Sequence, residues 1–90
     1  MKIFAKPSFD RAFKKLTAQQ QSVVKNAIAK FPESIGKPHL HSGISIRSVG
    51  KYLECRAGLQ MRVLFYLYEG EVWLATAGNH NDISRYVKEN

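Results

Sequence analysis

The run Leu74–Tyr86, LATAGNHNDISRY, ends an apolar stretch at Gly78, places His80 two residues later and follows it with Arg85 and Tyr86. Two more histidines, His39 and His41, lie in KPHLHSG, and Arg56 and Arg62 lie in successive apolar runs. Imidazole titrates near pH ~6.5, so near neutrality one histidine can accept a proton while another donates one. Guanidinium groups offset the charge that builds on phosphoryl oxygens. Those are the parts needed to cleave RNA by internal transfer. A base removes the 2′-OH proton, the 2′-oxygen attacks the adjacent phosphorus, and an acid protonates the departing 5′-oxygen. No metal is required. His39 and His41 also suggest a metal pair, but two ligands without a nearby third cluster make a poor site. Each residue has a plainer reading as well: a loop histidine is more often a surface group, and Tyr86 can be an aromatic anchor for the tail.

These groups need elements to hold them. KIFAK alternates and stops at Pro7, the pattern of a short strand. Ser8 can cap a helix with Phe9, Ala12, Phe13 and Leu16 at i, i+3, i+4 and i+7. Thr17 and Gln20 have capping-box spacing and open a second helix, with Val24, Ala27, Ile28 and Phe31 on one face and Pro32 closing it. Residues 32–50 read mainly as loop. Three strands follow, KYLECR, MRVLFYLY and EVWLATA, joined by AGLQ and by Glu69-Gly70. Residues 79–90 permit one short helix capped by Asn79 or Asn81. The whole is one α+β domain over residues 1–90: an N-terminal strand, then a helical hairpin covering one face of an antiparallel sheet, a three-stranded meander and a short C-terminal helix.

Alternation divides the strands. Leu53 and Cys55 belong against the helices, with Tyr52, Glu54 and Arg56 on the other, open face. Met61, Val63, Phe65 and Leu67 oppose Arg62, Leu64, Tyr66 and Tyr68. An odd-numbered connection between these strands would set Arg56 beside Arg62 on the open face. Two adjacent guanidinium groups need an anion between them, either a substrate phosphate or Glu54. By the same alternation Lys51 points to the opposite face unless the strand begins there.

Charge narrows the partners. The 90 residues carry 14 Lys and Arg against 7 Asp and Glu, a net of +7. Residues 1–31 hold seven basic groups and one acidic, and residues 32–90 hold seven and six. A small basic domain is drawn to nucleic acid, to the ribosome or to an acidic partner. Cys55 is the only cysteine, which excludes an internal disulfide and a cysteine metal cluster; its flanks suggest a buried thiol. The N-terminus lacks the apolar core of a signal peptide and no run approaches membrane-spanning length, so the expected location is the cytoplasm.

The order of elements, the basic helical hairpin and the run ECRAGLQMRVLFYLYEGEVWLATAGNHND together resemble the RelE/ParE superfamily of bacterial toxins. Within it they are most similar to the RelE-type mRNA endonucleases (mRNA interferases) of type II toxin–antitoxin systems. The resemblance implies a RelE-like β-α-α-β-β-β fold and a toxin that needs the ribosome to cut mRNA, without cofactor. It places phosphate stabilisation on Arg62, the general acid on His80, a positioning or chemical role on Tyr86 and the base on His39, with His41 and Glu54 as alternatives. Arg56, Lys51, His41 and Arg85 would contact substrate. Some relatives carry lysines at alternate second-strand positions where Tyr52 and Glu54 stand here. The implied partners are a cognate antitoxin, mRNA and the ribosome, and the toxin alone would be a monomer. A ParE-like gyrase inhibitor and a non-catalytic RNA-binding module are the competing expectations; the histidines favour the nuclease, because a gyrase binder needs no acid–base pair.

Overall fold

The computed structural model describes residues 2–34 and 45–90, which places His39 and His41 outside the described residues. The elements run β1 (Ile3–Ala5), α1 (Pro7–Lys14), α2 (Ala18–Ala29), α3 (Phe31–Ser34), β2 (Ile46–Val49), β3 (Tyr52–Ala57), β4 (Met61–Tyr68), β5 (Glu71–Gly78) and α4 (His80–Glu89). The strands form one five-stranded sheet ordered β1-β5-β4-β3-β2. Strands β2 to β5 are antiparallel neighbours, while β1 lies parallel to β5 at the sheet edge. This is the expected α+β architecture with three differences: the sheet is mixed rather than antiparallel, because β1 runs parallel to β5; a fourth antiparallel strand (β2) occupies the segment whose composition suggests loop; and α2 ends at Ala29, with Pro32 inside a one-turn α3 rather than closing the helix. No helix among the described residues is long and apolar enough to cross a membrane.

The capping box expected at Thr17 is present: Gln20 donates its backbone N–H to Thr17 Oγ1 at 3.1 Å, and Gln20 Oε1 accepts from the Thr17 N–H at 2.9 Å. Ser8 does not cap α1. The helix begins two residues earlier, with Pro7 in its first turn and Lys6 as an N-cap without a side-chain bond, because proline's fixed φ suits that position and it has no N–H to satisfy. The Ser8 hydroxyl instead donates to the Ala75 carbonyl of β5, tying α1 to the sheet beyond the end of β1.

One face of the sheet carries Cys55, Val63, Phe65, Val72 and Leu74 against Phe9, Val24, Ala27 and Phe31 of the helices. The other face is not fully open. Ile83, Tyr86 and Val87 of α4 recur at i, i+3 and i+4 and cover Tyr52, Leu64 and Ala75. That helix buries the middle of the face expected to be exposed, since its own apolar stripe requires a partner surface.

Cys55 lies fully buried in the larger cluster. Burial first, and the Glu54 charge second, push its thiol up from 9.0 to about 11. The folded state thus holds the proton more tightly than the unfolded chain does, so the associated stability is complete below about pH 9 and declines as pH rises toward 11. The native thiol should ignore a thiol-exchange reagent at about pH 8 and react fully in denaturant, and urea titrations should show stability falling across that alkaline window.

Candidate active site

Strand alternation and register assemble the site from β2, β3, β4 and the end of β5. The connection between β3 and β4, residues 58–60, is odd-numbered, and Arg56 stands directly opposite Arg62 as expected for that case. Gly58 makes this tight turn at φ +79°, where a side chain would be strained and would also press on Val23. Glu54 is on the same face, only 2% exposed. Arg62 donates from Nη1 to Glu54 Oε1 at 2.9 Å, and Arg47 donates from Nε to the same oxygen at 3.0 Å. Glu54 thus neutralises Arg62 together with Arg47 and does not bridge Arg56 and Arg62.

The two ion pairs are unequal. Arg47 is 61% exposed, so water screens its share, whereas Arg62 is 17% exposed and its Nε is buried with no partner among the described residues. That guanidinium retains an unused donor. Arg56, exposed and opposite Arg62, has no ion-pair partner among the described residues. Arg47 is a site residue that the sequence does not single out, because β2 has the composition of a loop. Its signal is the short alternation in ISIRSV, which register places against Glu54.

His80 enters through Gly78. Gly78 is the register partner of Arg62, and the chain then turns into α4, of which His80 is the first residue and exposed. Register partners lie ~5 Å apart and two more residues add at most ~7 Å, so the His80 and Arg62 backbones stand within ~12 Å at one end of the sheet. The exit is held by a second capping box. Asn79 Oδ1 accepts from the Asp82 N–H at 2.9 Å, and Asp82 Oδ2 accepts from the Asn79 N–H at 3.0 Å. Of the two expected caps, Asn79 is the one used. A Cβ at Gly78 would stand 2.6 Å from Asp82 Cβ and Oδ2, so this close approach requires glycine.

The remaining expected residues divide. Tyr86 is half-buried on α4, edge-on to Tyr52 at 5.9 Å, and its hydroxyl lies 3.5 Å from the Ser8 hydroxyl. Burial, followed by the proximity of Tyr86, raises the Tyr52 phenol above its ordinary value. Arg85 pairs with Asp82 at 2.9 Å on the exposed side of α4. Both Tyr86 and Arg85 line a cleft between α1 and α4 at the C-terminal end of β5, together with Arg11, Lys15, Gly78 and Asn79. Lys51 does not join Arg56 and Arg62. It lies in the turn before β3, its ammonium over the Tyr52 ring at 5.6 Å, and β3 carries Arg56 to the opposite end of the sheet. Among the described residues no three His, Cys, Asp or Glu side chains group in a way that could hold a metal ion.

Two substitutions check this geometry. Glu54→Ala should cost about 3 kcal/mol, chiefly by leaving Arg62 with no counter-charge, read as a lower urea midpoint. Gly78→Ala should cost about 1–3 kcal/mol, since the new methyl must break the capping box or shift α4, read from thermal unfolding.

No protein-family model and no curated protein sequence matches the chain. Solved structures do. A copper-bound mutant toxin from Helicobacter pylori is 19% identical with a TM-score of 0.71, over 92% of this chain and 98% of that one. A chain of the RelB–RelE antitoxin–toxin complex from Methanococcus jannaschii is 14% identical with a TM-score of 0.70, over 92% and 96%. The isolated E. coli RelE toxin is 13% identical with a TM-score of 0.63, over 98% and 96%. Likeness at such low identity speaks for architecture, and it extends over nearly the full length of each chain: this protein has the fold of the RelE-like toxins.

Proposed function

We propose that the protein is the toxin of a type II toxin–antitoxin system, a metal-independent endoribonuclease that cuts mRNA on the ribosome. The observation that carries this reading is the register pair Arg62–Gly78, which brings a half-buried guanidinium and the exit of His80 to one end of a RelE-like sheet. In this reading the scissile phosphate sits at that end. Arg62, through its unused Nε–H or by exchanging partners from Glu54, donates to a non-bridging oxygen, and Arg56 donates to another. Glu54 accepts from two guanidinium groups and serves as the anchor that holds Arg62, so the base falls on the loop histidine His39, with His41 beside it.

The steps balance without a further reactant. The base takes the 2′-OH proton and the 2′-oxygen bonds to phosphorus. The bond from phosphorus to the 5′-oxygen breaks, and His80 as imidazolium returns a proton to that oxygen. The products are a 2′,3′-cyclic phosphate and a 5′-OH. Tyr86 and Arg85, in the cleft beside Gly78, contact the strand leading away. A cognate antitoxin of acidic and apolar character is the partner expected to mask this end in the cell.

The experiment adds purified protein to translating ribosomes and maps mRNA 5′ ends. Wild type should produce discrete cuts. His80→Ala should slow them about 10²–10⁴-fold and Arg62→Ala about 10²–10³-fold, both with unchanged circular dichroism. Intact mRNA beside gyrase-dependent DNA breaks would sink the nuclease and select a gyrase inhibitor on the same fold.

A further inference from the structure

Beyond the area covered by α4, the same sheet face carries an aromatic row that the proposed chemistry does not use. Phe4 of β1 stacks on Trp73 of β5 with centroids 4.7 Å apart and planes 24° apart. Trp73 faces Tyr66 of β4 at 6.5 Å and 10°, and Tyr66 meets Tyr52 of β3 edge-on at 6.2 Å. Sheet register makes the row: Phe4 pairs with Trp73, and Trp73 with Tyr66. The Lys6 ammonium lies over the Tyr66 ring at 5.7 Å. Lys2 is exposed and shares a strand face with Phe4 by alternation. Glu71, partly exposed, is the acidic residue on this side of β5.

The row has a closed end and an open one. At Tyr52 it runs into Tyr86 and the cover of α4. At Phe4 it stops, because β1 is the edge strand, and Phe4 is 37% exposed with Trp73 as its one aromatic neighbour among the described residues. An exposed aromatic face beside ammonium groups, in a protein of net charge +7, is complementary to a planar base that carries a phosphate. A second copy of this chain would bring the same lysines against their like, and an apolar protein segment would leave them unanswered.

We propose that the open end of the Phe4–Trp73–Tyr66 stack is a docking site for an unpaired RNA base, which stacks on Phe4 while Lys2 and Lys6 meet its phosphate. Arg62 lies four residues along β4 from Tyr66, ~13 Å of strand, so this site is separate from the scissile phosphate. It deepens the RNA-directed reading above, yet can be tested apart from cleavage.

The probe is a 2′-O-methyl RNA hexamer, which cannot undergo internal transfer, and the reporter is Trp73, the single tryptophan. Titration of the protein should quench its fluorescence saturably, and affinity should fall as salt rises. Phe4→Ala should weaken binding about tenfold, Phe4→Tyr should restore it, and Lys6→Ala should weaken it and flatten the salt dependence. Unchanged affinity in Phe4→Ala, or no quenching at all, would overturn the site. So would a Trp73 signal that follows protein concentration alone, which would assign the face to a second copy. Ribosome-dependent cutting by a protein that ignores the hexamer removes this site and leaves the nuclease; hexamer binding through Phe4 by a protein that never cuts mRNA does the reverse.

Discussion

Glu54 places a carboxylate inside a sheet face, where it cannot be hydrated and must be neutralised in position. Two guanidinium groups on its neighbouring strands do this through a single oxygen. The pairing draws Arg47 of β2 and Arg62 of β4 toward β3, so three strands are joined by charge as well as by backbone ladders. It also sets the state of Arg62 before any ligand arrives. A long flexible side chain is confined to one direction, partly sheltered from water, with one donor unspent among the described residues. Confinement of that kind reduces the entropy lost when an anion binds, and shelter from water strengthens the interaction.

The two faces of the sheet are built for different purposes. The helical hairpin covers one with large apolar side chains, and the stability of the domain rests mainly there. The other is zoned along its strands. Charged groups lie at the end reached by Gly78, α4 covers the centre, and aromatic rings occupy the end beyond. Since α4 is anchored by Ile83 and by capping at Asn79, the covered zone also fixes where the exposed zones begin.

Much of this is legible in the residues. Capping at Thr17 and Asn79, the apolar stripes of the hairpin and the meander of β3 to β5 all follow from local spacing. So does the facing of Arg56 and Arg62 once a three-residue turn is accepted. β2 is hidden because an edge strand buries little: Arg47 and Ser48 are exposed and Ile46 and Val49 only half-covered, which leaves a composition close to that of a loop. The placement of α4 is hidden because its stripe of Ile83, Tyr86 and Val87 states that a partner surface exists without saying which. The aromatic row depends on register between strands far apart in sequence, β1 with β5, and alternation within one strand cannot supply it. His39 and His41 fall outside the described residues, so their part in the site rests on sequence.

The step in register between Leu64 and Phe65 has a wider consequence. Leu64 pairs with Thr76 but Phe65 pairs with Leu74, so Ala75 is an extra residue in β5. From that point the alternation is inverted: Ala77 belongs to the hairpin side, while Ala75 lies among the residues beneath α4. Were Ala75 kept but paired regularly, without the bulge, Thr76 would turn to the hairpin side and the strand would deliver its last residues upside down, sending the final helix toward the wrong side of the molecule. A single supernumerary position, silent in composition because its neighbours are also small, thus determines the handedness of the chain's last exit.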